Sequence, residues 1–388
     1  MTTYLDSPDP VRHHLTEDDL ALAHALQLNG RASFTEIAAA LGVSDQTAAR
    51  RYTRLRTTGK LRVLGLTDPF RLGDLSWFVR VRSTPDASAS IGAALARRTD
   101  TTWVSLTSGG TETMASVRSR GPGLEEPFLV RKLPRIPRVV DVSAHCVLHV
   151  FFGRDLGFIN KSGPLTDAQV AALSPRTAGR SRTTAPGPVV LDAPDRLLLD
   201  LLARDGRAPV GELAAATGLS ESTVRRRIND LRGEGVLYFD VDYHPDVLHR
   251  KVRIALWLEI DPARLAEAGE SLAAHPAVTF AAAVTGATNL YANIQVDSPQ
   301  LLYSYLTHTV SGLPGLRHTV TAPIHRTLKG PGPYSPSRDG TGGGRLTAGG
   351  YKDVQVAVKT KGGQGATEPG QGVRARPLAP RSVPRLVR

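Results

Sequence analysis

Cysteine is almost missing from this chain of 388 residues: Cys146 stands alone. That excludes an intrachain disulfide framework and fits a reducing compartment, so a cytoplasmic location is expected. Long hydrophobic runs are also missing. The longest, near Val147 to Phe152 and Ile254 to Leu258, are strand-length, against the roughly 18 apolar residues of a membrane span. The opening MTTYLDSPDP has neither the basic nor the apolar region of a secretory signal. A phosphate-cradling GxxxxGK[ST] loop and a GxSxG elbow are absent as well, which removes two common routes to an enzyme. Acidic residues are in deficit, 36 against 48 Lys and Arg, for a formal charge of +12, and an anionic partner follows. The excess is uneven. Residues 330–388 hold 10 Lys and Arg against 3 Asp and Glu, a net +7 that leaves +5 for the rest.

What is present is a repeat. The stretch from Gly30, GRASFTEIAAALGVSDQTAARRYTRLRTTGKL, returns 176 positions later from Gly206 as GRAPVGELAAATGLSESTVRRRINDLRGEGVL. Gly30/Gly206, Arg31/Arg207, Glu36/Glu212, Gly42/Gly218, Ser44/Ser220, Thr47/Thr223, Arg50/Arg226, Arg51/Arg227, Leu55/Leu231 and Gly59/Gly235 are identical pairs. A tandem duplication of about 150 residues per copy is the economical reading.

Each copy opens with three helices. Leu20, Ala23, Leu26 and Leu28, or Leu197, Leu198, Leu201 and Leu202, mark the first. The second spans Thr35 to Leu41, or Val210 to Thr217. Gly42 or Gly218 permits a tight turn, and Ser44 or Ser220 caps a third helix reaching about Arg56 or Arg232. Two short helices across a glycine turn make a helix-turn-helix. The next 80 or so residues read strand, helix, strand, strand, helix, strand, a ferredoxin-like order. Alternation is clearest in Val252, Ile254, Leu256 and Leu258, with Lys251, Arg253, Trp257 and Glu259 between them. The predicted fold is α+β, two copies of a winged helix-turn-helix plus a ferredoxin-like α/β sandwich. The predicted domains are 15–66 and 189–242 for the heads and 72–153 and 248–329 for the ferredoxin-like units. A Ser/Thr/Pro-rich linker at 160–188 carries a short helix at Thr166 to Leu173, and 1–14 and 330–388 are expected to be disordered.

The third helix brings the chemistry. Its candidate DNA-binding residues are Ser44, Gln46, Thr47, Arg50, Arg51 and Arg54, and in the second copy Ser220, Ser222, Thr223, Arg225, Arg226 and Arg227. Gln and Arg can pair bidentately with base edges in a major groove while Thr and Arg hold phosphates. An arginine-rich helix face is often merely solvated, but its recurrence in two helix-turn-helix patterns favours recognition. Val43, Ala48, Tyr52 and Leu55, like Leu219, Val224, Ile228 and Leu231, have core spacing.

These residues together resemble the Lrp/AsnC (leucine-responsive, feast/famine) transcription factors over about 300 of the 388 residues, most closely through GLSESTVRRRINDLRGEGVL. The resemblance implies winged helix-turn-helix heads and ferredoxin-like domains that dimerise and bind amino acids or related effectors. In that family a Gly-x-x-Asp loop follows the second strand of the domain. Here it corresponds to Gly286 with Thr288 and Asn289, and to Gly109 with Glu112, so neither copy keeps the aspartate. Only Glu112 retains a formal counter-charge for an ammonium group.

The expected function is therefore sequence-specific DNA-binding regulation, with double-stranded DNA as partner, an amino-acid-like effector as a second ligand, and no membrane, metal or cofactor. The rival is a protein-interaction scaffold on the same fold. An enzyme is disfavoured: along a strand His145 and His149 should share one face and Cys146 the other, so three ligands cannot converge. Because both heads lie in one chain, an intrachain pseudo-dimer is expected, with sheet surfaces left for further assembly. Asp45, Gln46 and Ala49 correspond to Glu221, Ser222 and Arg225, which predicts unequal half-sites, and the basic tail should add affinity without sequence preference.

Overall fold

The computed structural model describes residues 15–119, 133–154, 157, 159–174, 187–243 and 252–334. The expected N-terminal segment 1–14, the second ferredoxin-like helix of the first copy and most of the basic tail lie outside the described residues.

The first head comprises α1 (Glu17–Leu28), α2 (Phe34–Leu41) and α3 (Asp45–Thr57), followed by the wing strand β1 (Leu61–Thr67). Thr16 and Ser33 open α1 and α2 with reciprocal capping boxes to Asp19 and Glu36, satisfying backbone N–H groups that have no helical partner. Gly42 closes α2 at φ 68°, a left-handed conformation that favours glycine. The first ferredoxin-like unit follows as β2 (Leu75–Ser83), α4 (Pro85–Arg97), β3 (Thr101–Thr107), β4 (Glu112–Ser119) and β5 (Val139–Phe152). After α5 (Ile159–Ser162) and α6 (Asp167–Leu173), the second head is built from α7 (Ala193–Arg204), α8 (Val210–Thr217), α9 (Glu221–Gly233) and the wing β6 (Leu237–Tyr243). The second ferredoxin-like unit is β7 (Val252–Ile260), α10 (Leu265–Ala274), β8 (Val278–Val284), β9 (Leu290–Val296), α11 (Pro299–Ser304) with a π-helical turn at Tyr305–Val310, and β10 (Leu316–Thr327).

The copies join at three seams. The wings β1 and β6 pair antiparallel, and Leu64 faces Asp240, its own counterpart 176 positions on, so the local two-fold passes between them. The ferredoxin-like sheets exchange edges: β5 pairs with β2 of its own copy and β8 of the other, and β10 with β7 and with β3. The eight strands close into a barrel in the order β10-β3-β4-β2-β5-β8-β9-β7, which leaves no open sheet edge. Met114, Val147, Trp257, Ala282, Val284 and Tyr291 pack with Phe78 and Phe280 in one cluster, while Ile254, Leu256, Leu258 and Leu272 form another and Val79, Val81, Ile91 and Leu95 a third. β7 is therefore buried on both faces. Trp257, expected between charged neighbours on an outward face, is fully buried, because a strand covered on both sides reads as a continuous apolar run.

The heads share one core. Leu22, Leu26, Ile37 and Leu55 of the first cluster with Leu198, Leu202, Leu213 and Ile228 of the second. Gly30 and Gly206 sit where the copies come closest: a Cβ on Gly206 would lie 2.8 Å from the Leu64 carbonyl carbon, and one on Gly30 2.6 Å from the Phe239 Cβ. Close backbone approach therefore explains why this glycine recurs.

Two expectations need correction. Within the segment expected as a linker, residues 160–174 carry most of α5 as well as the expected helix α6 and dock on the first head, burying Leu173 and the adjoining Ile159 in the head core, with Gln169 Nε2 donating to the Ala40 carbonyl at 2.8 Å. Its few apolar residues suffice because a groove on α1 and α2 receives them. Residues 330–332, placed in the disordered tail, are buried against the fold, and the Gly330 carbonyl accepts from Trp103 N–H.

Candidate nucleic-acid interface

The third helices of the two heads begin alike. Ser44 Oγ accepts from Thr47 N–H at 3.2 Å, and Ser220 Oγ from Thr223 N–H at 3.2 Å. Both serines are thus N-caps, and their hydroxyls also bond the Thr47 and Thr223 hydroxyls. Ala48, Tyr52 and Leu55 of α3 and Val224, Ile228 and Leu231 of α9 are buried, which turns the polar residues outward. Gln46, Arg50 and Arg54, and Ser222, Arg225 and Arg226, are exposed, while Thr47, Thr223, Arg51 and Arg227 are half-buried.

The arginines divide by what they touch. Arg51 Nη2 lies 2.6 Å from Asp18 Oδ2, and Arg54 Nη2 2.5 Å from the buried Asp19. In the second head Arg227 Nη1 reaches Asp192 at 2.7 Å and Asp195 at 2.6 Å. These contacts brace the third helix against the first turn of α1 or α7. Arg225 pairs along its own helix with Glu221 at 2.7 Å. Arg50 and Arg226 occupy the same repeat position and make no hydrogen bond or ion pair with any described residue. Beside Arg50 a cleft of about 250 Å3 is lined by Thr47, Arg50, Arg51 and Arg54, a hydroxyl and three guanidinium groups suited to a phosphate oxygen.

Two arginines singled out in the sequence only as recurring residues hold the heads together. Arg31 Nη1 and Nη2 donate to the Gly206 and Ala208 carbonyls at 2.8 and 3.1 Å, and Arg207 Nη1 donates to the Gly30 carbonyl at 2.8 Å. Arg207 also lies over the rings of Phe34 and Tyr52, 4.7 and 5.3 Å from their centroids, and Arg31 over Phe239 at 6.0 Å. Burial pulls both guanidinium pKa values down, yet a group titrating so high keeps its charge. Their recurrence beside glycine was the sequence signal; that each reaches across to the other copy was not visible.

The loops matching the family's effector position are occupied by the fold itself. Glu112 is buried, bonded to Arg80 Nε at 2.7 Å and to the Thr107 and Ser108 hydroxyls at 3.0 and 3.1 Å. Asn289 clips both backbone groups of Ile260, accepting from its N–H at 2.9 Å and donating to its carbonyl at 2.8 Å. Each loop lies beneath the strand exchanged from the other copy: Gly109 N–H donates to His325 Nε2 at 2.7 Å, and His145 Nδ1 lies 2.7 Å from the Thr285 carbonyl next to Gly286. Thr288 is half-buried between Gly286 and Asn289. A bulge between Val147 and His149 breaks the strand alternation. His145 thus stacks on Trp257 and His149 on Phe151, rather than the two histidines sharing a partner. Among the described residues no group of three His, Cys, Asp or Glu could hold a metal ion, and no helix is long and apolar enough to cross a membrane.

Comparison with known proteins agrees with this architecture. The AsnC-type helix-turn-helix domain matches at residues 15–56 and again at 191–232, and the Lrp/AsnC ligand binding domain at 254–334. An uncharacterized HTH-type transcriptional regulator of Pyrococcus abyssi is 32% identical over 135 residues, 34% of this chain and 85% of the relative. The HTH-type transcriptional regulator FL11 of the same organism is 29% identical over 142 residues, 36% of this chain and 93% of FL11. The structure of the siroheme decarboxylase NirDL covers 81% of this chain and 93% of its own, with TM-score 0.55 at 15% identity, a likeness of fold. A separate stretch of 28 residues is 96% identical to peptide chain release factor 1 of Streptomyces coelicolor but spans only 8% of it, too little to carry that protein's fold. By its matching domains and relatives, this chain belongs to the Lrp/AsnC family, with two of the family's helix-turn-helix heads on one polypeptide.

Proposed function

We propose that the chain is a sequence-specific DNA-binding transcriptional regulator that presents α3 and α9 to two major-groove segments of one operator. The observation that carries this reading is the matched pair Arg50 and Arg226, the same position on two helices, each exposed and unengaged by the fold, in heads clamped together by Arg31 and Arg207. An arginine so placed, with Gln46 or Ser222 one turn earlier, can reach a base edge or a phosphate. Gln46 against Ser222 and Ala49 against Arg225 make the two reading surfaces different, so the operator is an imperfect palindrome. Arg51 and Arg227 contribute by holding the third helix at its angle. The regulator reading places the protein in the cytoplasm and away from catalysis; the fold shared with NirDL does not by itself separate regulator from enzyme.

Fluorescence anisotropy on DNA from the chain's own promoter tests this. Arg50→Ala and Arg226→Ala should each weaken binding by about tenfold and lower the slope of log affinity against log salt by about one, with the melting curve unchanged. Unaltered affinity and slope in both variants would replace the regulator reading with that of a protein-interaction scaffold. Equal binding to specific and random duplexes would reduce it to non-specific association.

A further inference from the structure

We infer that Asn229 is a specificity-determining residue of the second head, and that the two heads read adenine on opposite sides of their shared arginine position. On the regulator reading, on which this rests, each half-site then demands adenine at its own place. In α3 the burial of Ala48, Tyr52 and Leu55 turns Gln46, Arg50 and Thr53 away from the core, and in α9 the burial of Val224, Ile228 and Leu231 does the same for Ser222, Arg226 and Asn229. All six are exposed. Each strip is centred on the arginine that the fold leaves unengaged, and each carries one primary amide. The amide stands before the arginine in α3 and after it in α9.

Gln46 and Asn229 make no hydrogen bond with any described residue. An asparagine or glutamine amide pairs bidentately with N6 and N7 of adenine in the major groove, so each helix has one side chain ready for that base. Ser222, which stands where α3 has Gln46, cannot take this part: it has no amide, and its hydroxyl lies 3.0 Å from that of Ser220 at the helix start. Along a helix rising 1.5 Å per residue, Gln46 lies about 6 Å ahead of Arg50 and Asn229 about 4.5 Å beyond Arg226. At roughly 3.4 Å per base pair, each amide meets a base one to two steps from the arginine. The exchange moves the adenine contact from one side of the arginine to the other, measured along each reading helix.

The charge around the strip has moved with the amide. Where α3 carries Ala49 on one flank and Arg54 on the other, α9 carries Arg225 and Asp230, both exposed. Asp230 repels a phosphate backbone on its flank and Arg225 attracts one on the opposite flank. At about 100° per residue, Asn229 falls between Arg225 and Arg226 around the helix, so seating α9 on its cationic side turns Asn229 toward the bases. The neighbouring helices place Arg225. In the first head Thr35 Oγ1 donates to Asp45 Oδ2 at 2.6 Å and ties the start of α3 to α2. Gly211 replaces that threonine on α8, where a Cβ would lie 3.2 Å from Glu221 Oε1. Glu221 pairs instead with Arg225 at 2.7 Å, which holds the guanidinium over the first turn of α9 in an exposed ion pair weak enough for a phosphate to replace.

Selection of bound duplexes from a randomised pool by the full chain is the test, read base by base, with Arg50→Ala and Arg226→Ala locating the arginine contacts. Wild type should enrich a two-part site whose adenine lies before the arginine contact in one half and after it in the other. Asn229→Ala should lose about tenfold of the adenine preference in one half-site, keep the other half-site, and keep the slope of log affinity against log salt, since a neutral side chain releases no counterion. Gln46→Ala should do the same in the opposite half-site. Ser222→Gln combined with Asn229→Thr gives α9 the strip of α3 and should move the second adenine to the mirror position of the first, making the selected operator more nearly palindromic. The substituted positions are exposed, so melting curves should match wild type; if the double variant melts lower, Asn229→Ala alone decides. A wild type that enriches no sequence refutes the regulator reading and this inference with it. An enriched site whose adenine preferences survive Asn229→Ala, or stay in place in a stable double variant, refutes the inference and leaves the regulator reading standing.

Discussion

Replacing Arg207 by Ala should loosen the two heads from one another while leaving the barrel intact. The side chain provides one charge-assisted hydrogen bond to the Gly30 carbonyl at 2.8 Å and lies over Phe34 and Tyr52. Losing a charged donor from a half-buried carbonyl costs about 1.5–3 kcal/mol, and losing a partly desolvated cation–π contact about 0.5–2 kcal/mol. Truncation also removes the aliphatic stem that seals this seam. The combined destabilisation of the head unit is then about 2–5 kcal/mol, enough to separate its unfolding from that of the ferredoxin-like barrel. Urea denaturation followed by hydrogen exchange at head and barrel amides reads this directly: head amides should lose protection by that amount and barrel amides by far less. Because Tyr52 lies on α3, the variant should also tolerate operators with one base pair inserted between half-sites, which the wild type should reject by tenfold or more. Arg207→Lys, which keeps the charge but not the planar fork, should fall between. A loss below about 1 kcal/mol in head protection, with an unchanged spacing preference, would refute the assignment of Arg207 as a clamp.

Asp240, at the centre of the wing pair, gives a pH prediction. Burial, with the neighbouring Asp242 charge adding to it, pushes its carboxyl up to about 7 against the Gln27 and Val241 hydrogen bonds that hold it down. In the unfolded chain it titrates near 3.9, so between about pH 4 and 7 the native state binds the extra proton and this group's contribution to stability falls as pH rises. Denaturation midpoints at pH 5 and pH 8 should therefore differ less for Asp240→Asn than for wild type, and an identical difference would contradict the buried-carboxyl account. Gly206→Ala places a methyl 2.8 Å from the Leu64 backbone, which cannot swing aside. It should cost about 1–3 kcal/mol of head stability, whereas Gly233→Ala, on the same head with open space around it, should cost no stability; equal effects in a denaturant titration would remove close approach as the reason for Gly206. Arg227→Ala should lower DNA affinity together with the head's melting temperature, unlike Arg226→Ala, and a loss of affinity at unchanged melting would make Arg227 a contact residue instead of a brace.

The local elements were legible because their signals are local. Ser44 and Ser220 announce helix starts by offering an oxygen to an N–H three residues on, and Gly42 and Gly218 announce helix ends by adopting positive φ. The 176-residue repeat and the strand and helix order needed only the chain itself. Pairing between copies was set by tertiary structure. Nothing in the period of β7 distinguishes a sheet with one wet face from a barrel wall, and Trp257 is buried because β5 and β10 cross to the other copy and close the barrel over it. The linker composition suggested a flexible tether, yet Leu173, with Ile159 just ahead of the linker, finds a groove on the first head that no local pattern encodes. Among the candidate DNA-binding arginines, the sequence could say only that they share a helix. Whether a guanidinium faces Asp19, Asp195 or open solvent depends on how α1 and α7 pack against the third helices, a long-range arrangement fixed by the shared core of the two heads.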